Sequence, residues 1–310
     1  QGPDGAIWGG VAKGAVIRVT DDGAVSTFPL ANANTSAPAI TTGPDENLWF
    51  TEIDSTNKVA SVGRLTPGGQ LREFPLPAGA GIGLGIASGS DGNLWFTDDR
   101  THEAPEGDVG RITTEGVVTE HPVPSSAGQP LAMTAGPDGA LWFTAHNAPA
   151  SSIVRVSTDF QFTVFPLPIG SLDALGIATG ADGNLWFTAL DPSTKNGKIG
   201  RMTPQGEVTL FSIPAASPLP QVIARGPCLD LWFTAGAGIG RVTYDGRVTI
   251  FPFSDLQLSE EPGLAANARR DVWFSNQSRA EIARVALLGC RALAKISKES
   301  APRPPKLRAR

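Results

Sequence analysis

Residues 84–122 read LGIASGSDGNLWFTDDRTHEAPEGDVGRITTEGVVTEHP and contain one complete copy of a repeated unit. Short runs rich in Val, Ile, Thr and Phe alternate with turns that contain Gly, which is typical of antiparallel hairpins. The pattern predicts strand a at 84–89, strand b at 94–97, strand c at 109–113 and strand d at 117–122. Tight turns connect a to b and c to d, and no helical periodicity is present.

The unit recurs seven times along the 310 residues. Every copy has one Trp in strand b and one Arg in strand c. The distance from a repeat Arg to the next Trp is 31 residues five times and 32 once, whereas the distance from Trp to its own Arg varies from 9 to 16. The length variation therefore lies in the loop between strands b and c. The repeat Trp are Trp8, Trp49, Trp95, Trp142, Trp186, Trp232 and Trp273.

A period of 41 to 47 residues is the length of one propeller blade, a small sheet that buries both faces only when neighbours stack on it. The sequence therefore predicts an all-β fold, a seven-bladed β-propeller of four-stranded antiparallel blades. Residues 1–8 begin at the a–b turn of the first blade. We therefore expect the first blade to lack its innermost strand, because the chain is truncated upstream.

The end of the chain leaves two alternatives open. Residues 290–297 either form strand d of the last blade or join the first blade and close the ring. The domain prediction is one propeller over residues 1–297, followed by a tail at 298–310. This tail is basic and rich in Pro, so we expect it to be disordered.

Charge and composition argue against several classes of partner. The formal net charge is −5, and residues 291–310 carry seven Lys and Arg with one Glu, so the rest of the chain is more acidic still. An acidic body argues against a nucleic-acid partner. No apolar run of about 18 residues is present, so we expect no membrane span. We expect a monomer that binds a small-molecule or peptide ligand.

The cysteines bear on the compartment. Cys228 and Cys290 are the only two in the sequence, which excludes a zinc site with four cysteine ligands. Both fall near the turn side of adjacent blades, so a disulfide and two free thiols are the alternatives. A disulfide would favour a secreted or periplasmic location, whereas a cytoplasmic location stays open without one.

Repetition separates scaffold residues from candidate functional ones, since a residue present in every blade serves the blade. The Trp, the strand-c Arg and the Asp of the a–b turns belong to the scaffold, and we expect the Asp and Arg to pair. His121 lies 10 residues after its Arg, a position that is Phe in five other blades, so we interpret it as an aromatic filler. The turn Asp are Asp4, Asp45, Asp91, Asp138 and Asp182.

The b–c loops and the d–a connections lie on one face of the disc, because antiparallel strands reverse direction at every turn. We call this the variable-loop face. Binding residues concentrate on loops that a rigid scaffold positions, so we expect the ligand site there. The ligand-binding candidates in these loops are Glu52, Asp54, Asp99, Asn147 and Asp191.

The longest variable loop, residues 98–108, contains five acidic residues and His102. Carboxylate oxygens are the ligands that Ca²⁺ and Mg²⁺ prefer, so Asp98 and Glu103 are candidate metal ligands, with solvated loop charge as the alternative. His102 and His146 are candidate general bases, although spacing fixes no partner for either.

Three phrases carry a resemblance to a known family. They are GSDGNLWFTD at 89–98, VGRITTEGVVTEHPVP at 109–124 and GKIGRMTPQGEVTLFSIP at 197–214. They resemble the repeats of the virginiamycin B lyase (streptogramin lyase) family, and the likeness covers about residues 2–285. The resemblance implies a seven-bladed propeller that opens an ester-linked cyclic depsipeptide by elimination. It also implies a His base and a Mg²⁺ ion, held by carboxylates, that stabilises the enolate.

The sequence departs from the family at both catalytic His positions. Gln221 stands where the family has the first His. In EEPGLAA at residues 260–266, the second His position falls on Gly263, or on Pro262 if the gap moves by one. Without an imidazole the elimination lacks its base, which typically costs about 10²–10⁴-fold in rate.

The metal positions that the resemblance implies are partly retained. Glu261 matches the family, whereas Gln277 stands where the family has a metal-binding Glu. We therefore treat Glu261 as a metal candidate, and Gln221 and Gln277 as ligand-binding candidates. No cofactor is certain, and Mg²⁺ or Ca²⁺ is the candidate.

Two functions from different classes follow. Strand a begins with Pro38, Leu84, Leu131 and Leu175 in four blades, so the mouth of the central channel is predicted to be apolar. The first function is a propeller that binds a ligand or partner on its variable-loop face without the family's lyase chemistry. The alternative is a metal-dependent C–O lyase or lactonase that uses His102 or His146.

Overall fold

The computed structural model describes most of the chain. The described residues are 1–11, 14–54, 56–57, 59–77, 80–81, 83–99, 107–147, 150–168, 172–214, 219–236, 238–252, 263–266, 271–276, 281–288 and 292–300.

The described residues form seven antiparallel sheets, one for each sequence repeat, which confirms the propeller. Blade 1 contains β1 (Ile7–Val11), β2 (Ala15–Val19) and β3 (Val25–Pro29). Blade 2 contains β4 (Thr35–Ser36), β5 (Ile40–Thr42), β6 (Leu48–Asp54), β7 (Val59–Leu65) and β8 (Leu71–Pro75). Blade 3 contains β9 (Ile86–Ser88), β10 (Leu94–Asp98), β11 (Asp108–Ile112) and β12 (Val118–Pro122). Blade 4 contains β13 (Gln129–Ala135), β14 (Leu141–Asn147), β15 (Ala150–Val156) and β16 (Phe162–Pro166).

The remaining blades follow the same plan. Blade 5 contains β17 (Asp173–Thr179), β18 (Leu185–Asp191), β19 (Asn196–Met202) and β20 (Val208–Ser212). Blade 6 contains β21 (Pro220–Arg225), β22 (Leu231–Ala235), β23 (Gly238–Val242) and β24 (Val248–Pro252), with a 3₁₀ turn at Pro227–Leu229. Blade 7 contains β25 (Leu264–Ala266), β26 (Val272–Asn276), β27 (Glu281–Leu288) and β28 (Ala292–Ser300).

The two ends of the chain decide between the alternatives that the sequence left open. Blade 1 has three strands, and the strand that would pair with the inner edge of β1 is absent from its sheet, as expected. β28 pairs with β27 as strand d of blade 7, so the alternative in which this segment joins the first blade is wrong. β28 continues to Ser300, three residues beyond the predicted domain boundary at residue 297. No helix among the described residues is long and apolar enough to cross a membrane.

The repeat Trp and Arg occupy the same cross-strand pair in every blade. Trp8 faces Arg18 in blade 1, and Trp273 faces Arg284 in blade 7. The other pairs are Trp49 and Arg64, Trp95 and Arg111, Trp142 and Arg155, Trp186 and Arg201, and Trp232 and Arg241. This constant register confirms that both residue types serve the scaffold.

The core lies between neighbouring blades. Phe96 of blade 3 packs with Trp49 and Val62 of blade 2, and all three side chains are fully buried. Phe96 also lies over Gly110, where an added Cβ would lie 2.1 Å from the Phe96 ring. Blade 1 reverses this pairing of large and small residues, because Gly9 faces Ile17 there. The two arrangements fill the same layer from opposite strands.

The turn Asp connect the Trp and the Arg of a blade. Asp138 accepts a hydrogen bond from the Trp142 indole at 2.9 Å and pairs with Arg155 at 2.6 Å. Asp4, Asp45 and Asp91 make the corresponding pairs with Arg18, Arg64 and Arg111. The predicted pairing is thus confirmed in four blades and is wrong for Asp182, since Arg201 instead donates to the carbonyl oxygen of Tyr244.

In blades 6 and 7 the Asp that pairs with the repeat Arg stands at a different sequence position. Cys228 replaces the turn Asp in blade 6, and Asp230, two residues before Trp232, pairs with Arg241 at 2.6 Å instead. Asp271 occupies the corresponding position in blade 7 and pairs with Arg284 at 2.8 Å. The Arg therefore keeps a carboxylate partner in these blades, whereas the buried indole nitrogens of Trp232 and Trp273 have no hydrogen-bond partner among the described residues.

Replacing Asp138 by Ala should lower the free energy of unfolding by about 2 kcal/mol, because it removes an ion pair and leaves the Trp142 indole without its acceptor. Burial raises the pKa of Asp138, but hydrogen bonds from Trp142 and Arg155 outweigh burial and hold the pKa below its usual value. The full difference in unfolding free energy between wild type and variant should therefore be measured above pH 3.8, and it should shrink as the pH falls below 3.8.

Asp182→Ala is the control for this prediction, because Asp182 keeps the indole bond to Trp186 and a bond from the Asn184 side chain, whereas Arg201 donates to the Tyr244 carbonyl oxygen instead. Its loss should be about 1 kcal/mol. Urea unfolding of both variants checks the difference, and equal losses would contradict the contribution of the Arg155 pair.

Candidate functional site

A cavity of about 490 Å³ lies in the central channel of the propeller. Its lining comes mainly from the innermost strands, including Leu84, Leu131 and Leu175. Pro38, Gln221 and Gly263 contribute the corresponding positions of three other blades. The channel mouth is therefore apolar, as predicted from the sequence, and the Gln221 amide is its polar side chain among these positions.

The register of the innermost strands positions these residues. β13, β17 and β21 each shift register against strand b, between Pro130 and Met133 in β13 for example. The shifted residues include Leu131, Leu175 and Gln221. A bulge takes its residues out of the ladder, so their side chains need not follow the alternation of the sheet. Because all three bulges occur at the same level in neighbouring blades, their residues form one continuous part of the ring of side chains at the channel.

A set of buried Thr hydroxyls fixes this ring. The Thr two residues after the repeat Trp donates to a carbonyl oxygen of the next blade at 2.6 to 2.8 Å. The Thr97 hydroxyl donates a hydrogen bond to the carbonyl oxygen of Leu131, and the Thr188 hydroxyl donates to that of Gln221. The remaining pairs are Thr51 with Gly83 and Thr144 with Leu175. Blades 2 to 5 therefore each set the backbone position of the channel mouth in the blade that follows.

An acidic cluster lies between blades 2 and 3. One carboxylate oxygen from each of Asp98, Asp108 and Glu120 lies within 4.8 Å of the other two. Asp98 is fully buried and Asp108 nearly so, and Asp98 accepts a hydrogen bond from the Gly81 amide at 2.6 Å. Strands β10, β11 and β12 bring the three side chains together. The structure thus joins the predicted ligand Asp98 to two carboxylates that the sequence did not single out as a group.

The spacing of this acidic cluster fits a divalent cation. Oxygen ligands lie about 2.3–2.6 Å from Ca²⁺, so opposite ligands are about 5 Å apart across the ion. The separation within 4.8 Å allows all three carboxylates to contact one such ion. Of the other predicted metal ligands, Glu103 and Glu261 lie outside the described residues.

Glu52 occupies the position in blade 2 that Asp98 has in blade 3, three residues after the Trp. Its side chain is 3% exposed and accepts a bond from Ser61 at 3.3 Å, while its second carboxylate oxygen is buried and has no hydrogen-bond partner in the part of the chain that the structure describes. Burial and the neighbouring charge of Glu73 raise the pKa of Glu52 to about 8. The same position is Ala in three other blades, at Ala145, Ala189 and Ala235.

The other loop candidates are distributed over separate blades. Asp54 accepts bonds from Asn32, Thr56 and Asn57. Asp191 accepts bonds from Ser193 and Thr194, which lower its pKa to about 2. These contacts show that both carboxylates stabilise the loops that follow them.

His146 and the candidates beside it lie at the edge of blade 4. The His146 ring is about half exposed, and its Nδ1 lies 3.7 Å from Asp173. Asn147 ends β14. The backbone carbonyl of Asp99 accepts a bond from Gln129 at 3.0 Å. His102 and Gln277 lie outside the described residues. His121 stacks on Phe160 with ring centroids 3.8 Å apart, which confirms its role as an aromatic filler.

The sequence missed the partners of Asp98 and the Thr hydroxyls. A comparison across blades marks Glu120 only in part, since the strand-d position is Val164, Leu210 and Ile250 in three other blades but Glu73 in blade 2. The Thr recur in nearly every blade, so repetition marked them as scaffold. Their contacts show that this scaffold also positions the channel mouth.

Comparison with known proteins identifies the family of the chain. The model of the virginiamycin B lyase family matches residues 1–285. The structure is similar to selenomethionine-substituted virginiamycin B lyase from Staphylococcus aureus, with 32% identity and a TM-score of 0.73 over 86% of this chain and 85% of that one. It is also similar to a catalytically inactive variant of the Staphylococcus aureus enzyme with quinupristin, with 30% identity and a TM-score of 0.72 over 85% of each chain.

A more distant structure shares the fold alone. The periplasmic gluconolactonase of Pseudomonas aeruginosa has 17% identity and a TM-score of 0.69, over 94% of this chain and 95% of that one. A search of curated proteins finds no match. The family model, the Staphylococcus aureus structures and the repeat pattern agree, and the chain belongs to the virginiamycin B lyase family.

Proposed function

We propose that this protein binds a small molecule or peptide with an apolar surface at the channel mouth on the variable-loop face, and that it lacks the lyase chemistry of its family. The observation that carries the proposal is the apolar cavity of about 490 Å³, whose lining includes Leu84, Leu131 and Leu175. Ligand sites are typically concave, mostly apolar and about 300–1,000 Å³ in volume. The Gln221 amide would orient a bound polar group.

The residues at the mouth support binding without elimination. Elimination needs a base within hydrogen-bonding distance of the proton that is removed. Gln221 and Gly263 occupy the positions where the family resemblance implies His, and both line the cavity. No histidine among the described residues lines it. An amide and a glycine can hold a ligand, but neither takes up a proton near neutral pH.

Quinupristin is the ligand with which we propose to test binding, because a relative was crystallised with it. We expect calorimetric titration to detect binding to the wild-type chain. Leu131→Asp should weaken it at least tenfold, because a ligand would then bury a carboxylate that has no partner. Val117→Asp is the matched control, since Val117 is 63% exposed and lies outside the cavity. Equal affinities of the two variants would contradict the site.

The alternative function is a metal-dependent lyase or lactonase, and the acidic cluster of Asp98, Asp108 and Glu120 favours it. These carboxylates would hold Ca²⁺ or Mg²⁺, which would supply Lewis-acid chemistry when bound. We expect millimolar Ca²⁺ to raise the melting temperature, since an ion that binds the native state alone at 100 times its Kd adds about 2.7 kcal/mol.

The Asp108→Asn/Glu120→Gln double variant controls for this shift, because it keeps the size of the side chains and removes two charges. It should show no increase with Ca²⁺. The same melting temperature of the wild-type chain in chelator and in Ca²⁺ or Mg²⁺ would rule out a metal at this cluster.

We further propose that the protein is exported and monomeric. Cys228 is disulfide-bonded, and the sequence has one other cysteine, Cys290. Structural disulfides persist in oxidising compartments, which supports a secreted or periplasmic location. Thiol titration of the denatured, unreduced protein should find no free thiol, and two free thiols would remove this support.

A further inference from the structure

The turn between strands a and b of blade 6 departs from the plan of the other blades. In blades 1 to 5 an Asp at this turn accepts a hydrogen bond from the indole N–H of the repeat Trp. Cys228 stands at this position in blade 6, and the buried Trp232 indole nitrogen has no acceptor in the part of the chain that the structure describes. An unsatisfied buried donor destabilises the fold. The cysteine therefore replaces a stabilising residue, which indicates a role that Asp does not fill.

The backbone of this turn is also unusual. Cys228 and Leu229 both have positive φ, at 64° and 73°. The corresponding turns of blades 1 to 5 have one positive φ each, and that residue is Gly in four of them. The left-handed region is unfavourable for a residue with a side chain, so such a backbone persists only where its surroundings hold it. The turn of blade 6 therefore depends on contacts that the other turns do not need.

Two contacts hold this turn in place. Cys228 is disulfide-bonded, and the Tyr244 hydroxyl donates a hydrogen bond to the Leu229 carbonyl oxygen. Asp230, the next residue, keeps the ion pair with Arg241. The turn is thus rebuilt around the cysteine, while the charge pair of the blade is retained.

The disulfide joins blade 6 to blade 7. Cys290 is the only other cysteine of the chain, and in the sequence it lies between β27 and β28. Apart from this bond, blade 7 packs on blade 6 through a cluster of side chains from strands b and c, which includes Trp232, Ile239, Val272 and Phe274. Cys290 precedes strand d, so the disulfide fastens the outer part of blade 7 to the neighbouring turn.

Blade 7 forms one side of the central cavity. Leu264, Trp273 and Phe274 belong to the lining, together with Gly263. Leu264 and Phe274 also pack against blade 6. Movement of blade 7 away from blade 6 would therefore change the wall of the cavity. The disulfide limits this movement, because a covalent link keeps the two blades together when their side-chain packing opens.

We propose that the Cys228–Cys290 disulfide switches on ligand binding at the channel mouth by holding blade 7 against blade 6. The inference rests on the proposed ligand site and adds its regulation. Oxidation of the two thiols by a small disulfide, such as oxidised glutathione, forms the S–S bond and releases the oxidant as two thiols. The chain would therefore bind weakly in a reducing compartment and fully in an oxidising one.

Hydrogen exchange of the intact chain, without ligand, tests the movement of blade 7. After reduction with dithiothreitol, we expect the amides of β26 and β27 to exchange about tenfold faster. Those of β18 and β19 in blade 5 should be unchanged. Cys228→Ser/Cys290→Ser should match the reduced wild type and show no response to dithiothreitol.

A second variant separates the disulfide from the turn itself. Cys228→Asp/Cys290→Ser restores the acceptor that the other blades offer to their Trp, so this variant keeps a stable turn without the covalent link. Its β26 and β27 amides should still exchange about tenfold faster than those of the oxidised wild type. Exchange as slow as that of the oxidised wild type would show that the turn, and not the disulfide, holds blade 7.

Calorimetric titration with quinupristin tests the effect on binding. If reduction leaves about one fifth of the molecules with blade 7 in place, the apparent affinity falls about fivefold. Equal affinities of the oxidised and reduced chains would overturn the proposal, as would unchanged exchange in blade 7 or equally faster exchange in all blades. Absence of binding to the oxidised chain would instead contradict the proposed ligand site, so the two failures are distinguished.

Discussion

Replacing Gly110 by Ile should lower the free energy of unfolding by about 3 kcal/mol or more, because the new side chain overlaps the fully buried Phe96 ring. Even a Cβ at this position would lie 2.1 Å from the ring, and the backbone on both sides is held in a sheet. Equilibrium unfolding in guanidinium chloride measures the loss. This loss of stability should be among the largest caused by replacing a single buried Gly in this chain.

Blade 1 supplies the matched control for Gly110→Ile. It already holds the reverse pair, Gly9 opposite Ile17. Phe96→Gly alone should cost about 4 kcal/mol through the cavity that it leaves. The double variant Phe96→Gly/Gly110→Ile should lose less than the sum of the two single losses by about 2 kcal/mol. Strict additivity would show that the two positions do not fill a common space.

Replacing Glu52 by Gln should remove a large pH dependence of stability. The pKa of Glu52 is raised to about 8 by burial and by Glu73, from its usual value of 4.5. Between these values the native state binds more protons than the unfolded state, so stability falls as the pH rises from 4.5 to about 8 and is level above it. The loss at pH 8 should be on the order of 5 kcal/mol.

Chemical denaturation at a series of pH values checks this prediction. The stability of Glu52→Gln should exceed that of the wild type increasingly from pH 5 to pH 8, while the two should agree near pH 4. Glu207→Gln is the matched control, because Glu207 is exposed and should leave the profile unchanged. A wild-type profile parallel to that of Glu52→Gln would show that Glu52 is ionised at no cost in the native protein.

The architecture was predictable because the same strand and turn pattern recurs in every repeat. The constant spacing from Arg to Trp fixed the blade, and hairpin turns with Gly fixed the order of the strands. The cross-strand pair of Trp142 and Arg155 did not follow from this spacing, because the distance from Trp to its own Arg varies between blades. The incomplete first blade followed from the position of Trp8, only seven residues after Gln1.

The acidic cluster was not predictable from spacing alone. Asp108 lies 10 residues after Asp98, and Glu120 lies 22 residues after Asp98. Only the register of three strands brings their carboxylates together. Loop composition pointed to Asp98 but could not tell which of the five acidic residues of the loop faces the interior. A comparison of strand-d positions across blades marks Glu73 as well as Glu120, so it does not separate the residue of the cluster from its counterpart in blade 2.

The channel mouth was predictable in character but not in geometry. Its apolar side chains followed from the first residues of each strand a. The bulges at Leu131, Leu175 and Gln221 depend on the Thr hydroxyls of neighbouring blades, and such contacts between repeats leave no pattern within one repeat. The failure of the Asp182 pair has a similar cause, since Arg201 turns to the carbonyl of Tyr244 in the next blade.

Product analysis of bound quinupristin tests the central claim most directly. The protein is incubated with an equal concentration of the ligand, the complex is isolated, and the released ligand is examined by chromatography and mass spectrometry. We expect intact cyclic ligand after many hours, because the Gln221 and Gly263 positions provide no base. A ring-opened product of unchanged mass would show elimination, and a product heavier by one water would show hydrolysis; either would contradict binding without chemistry.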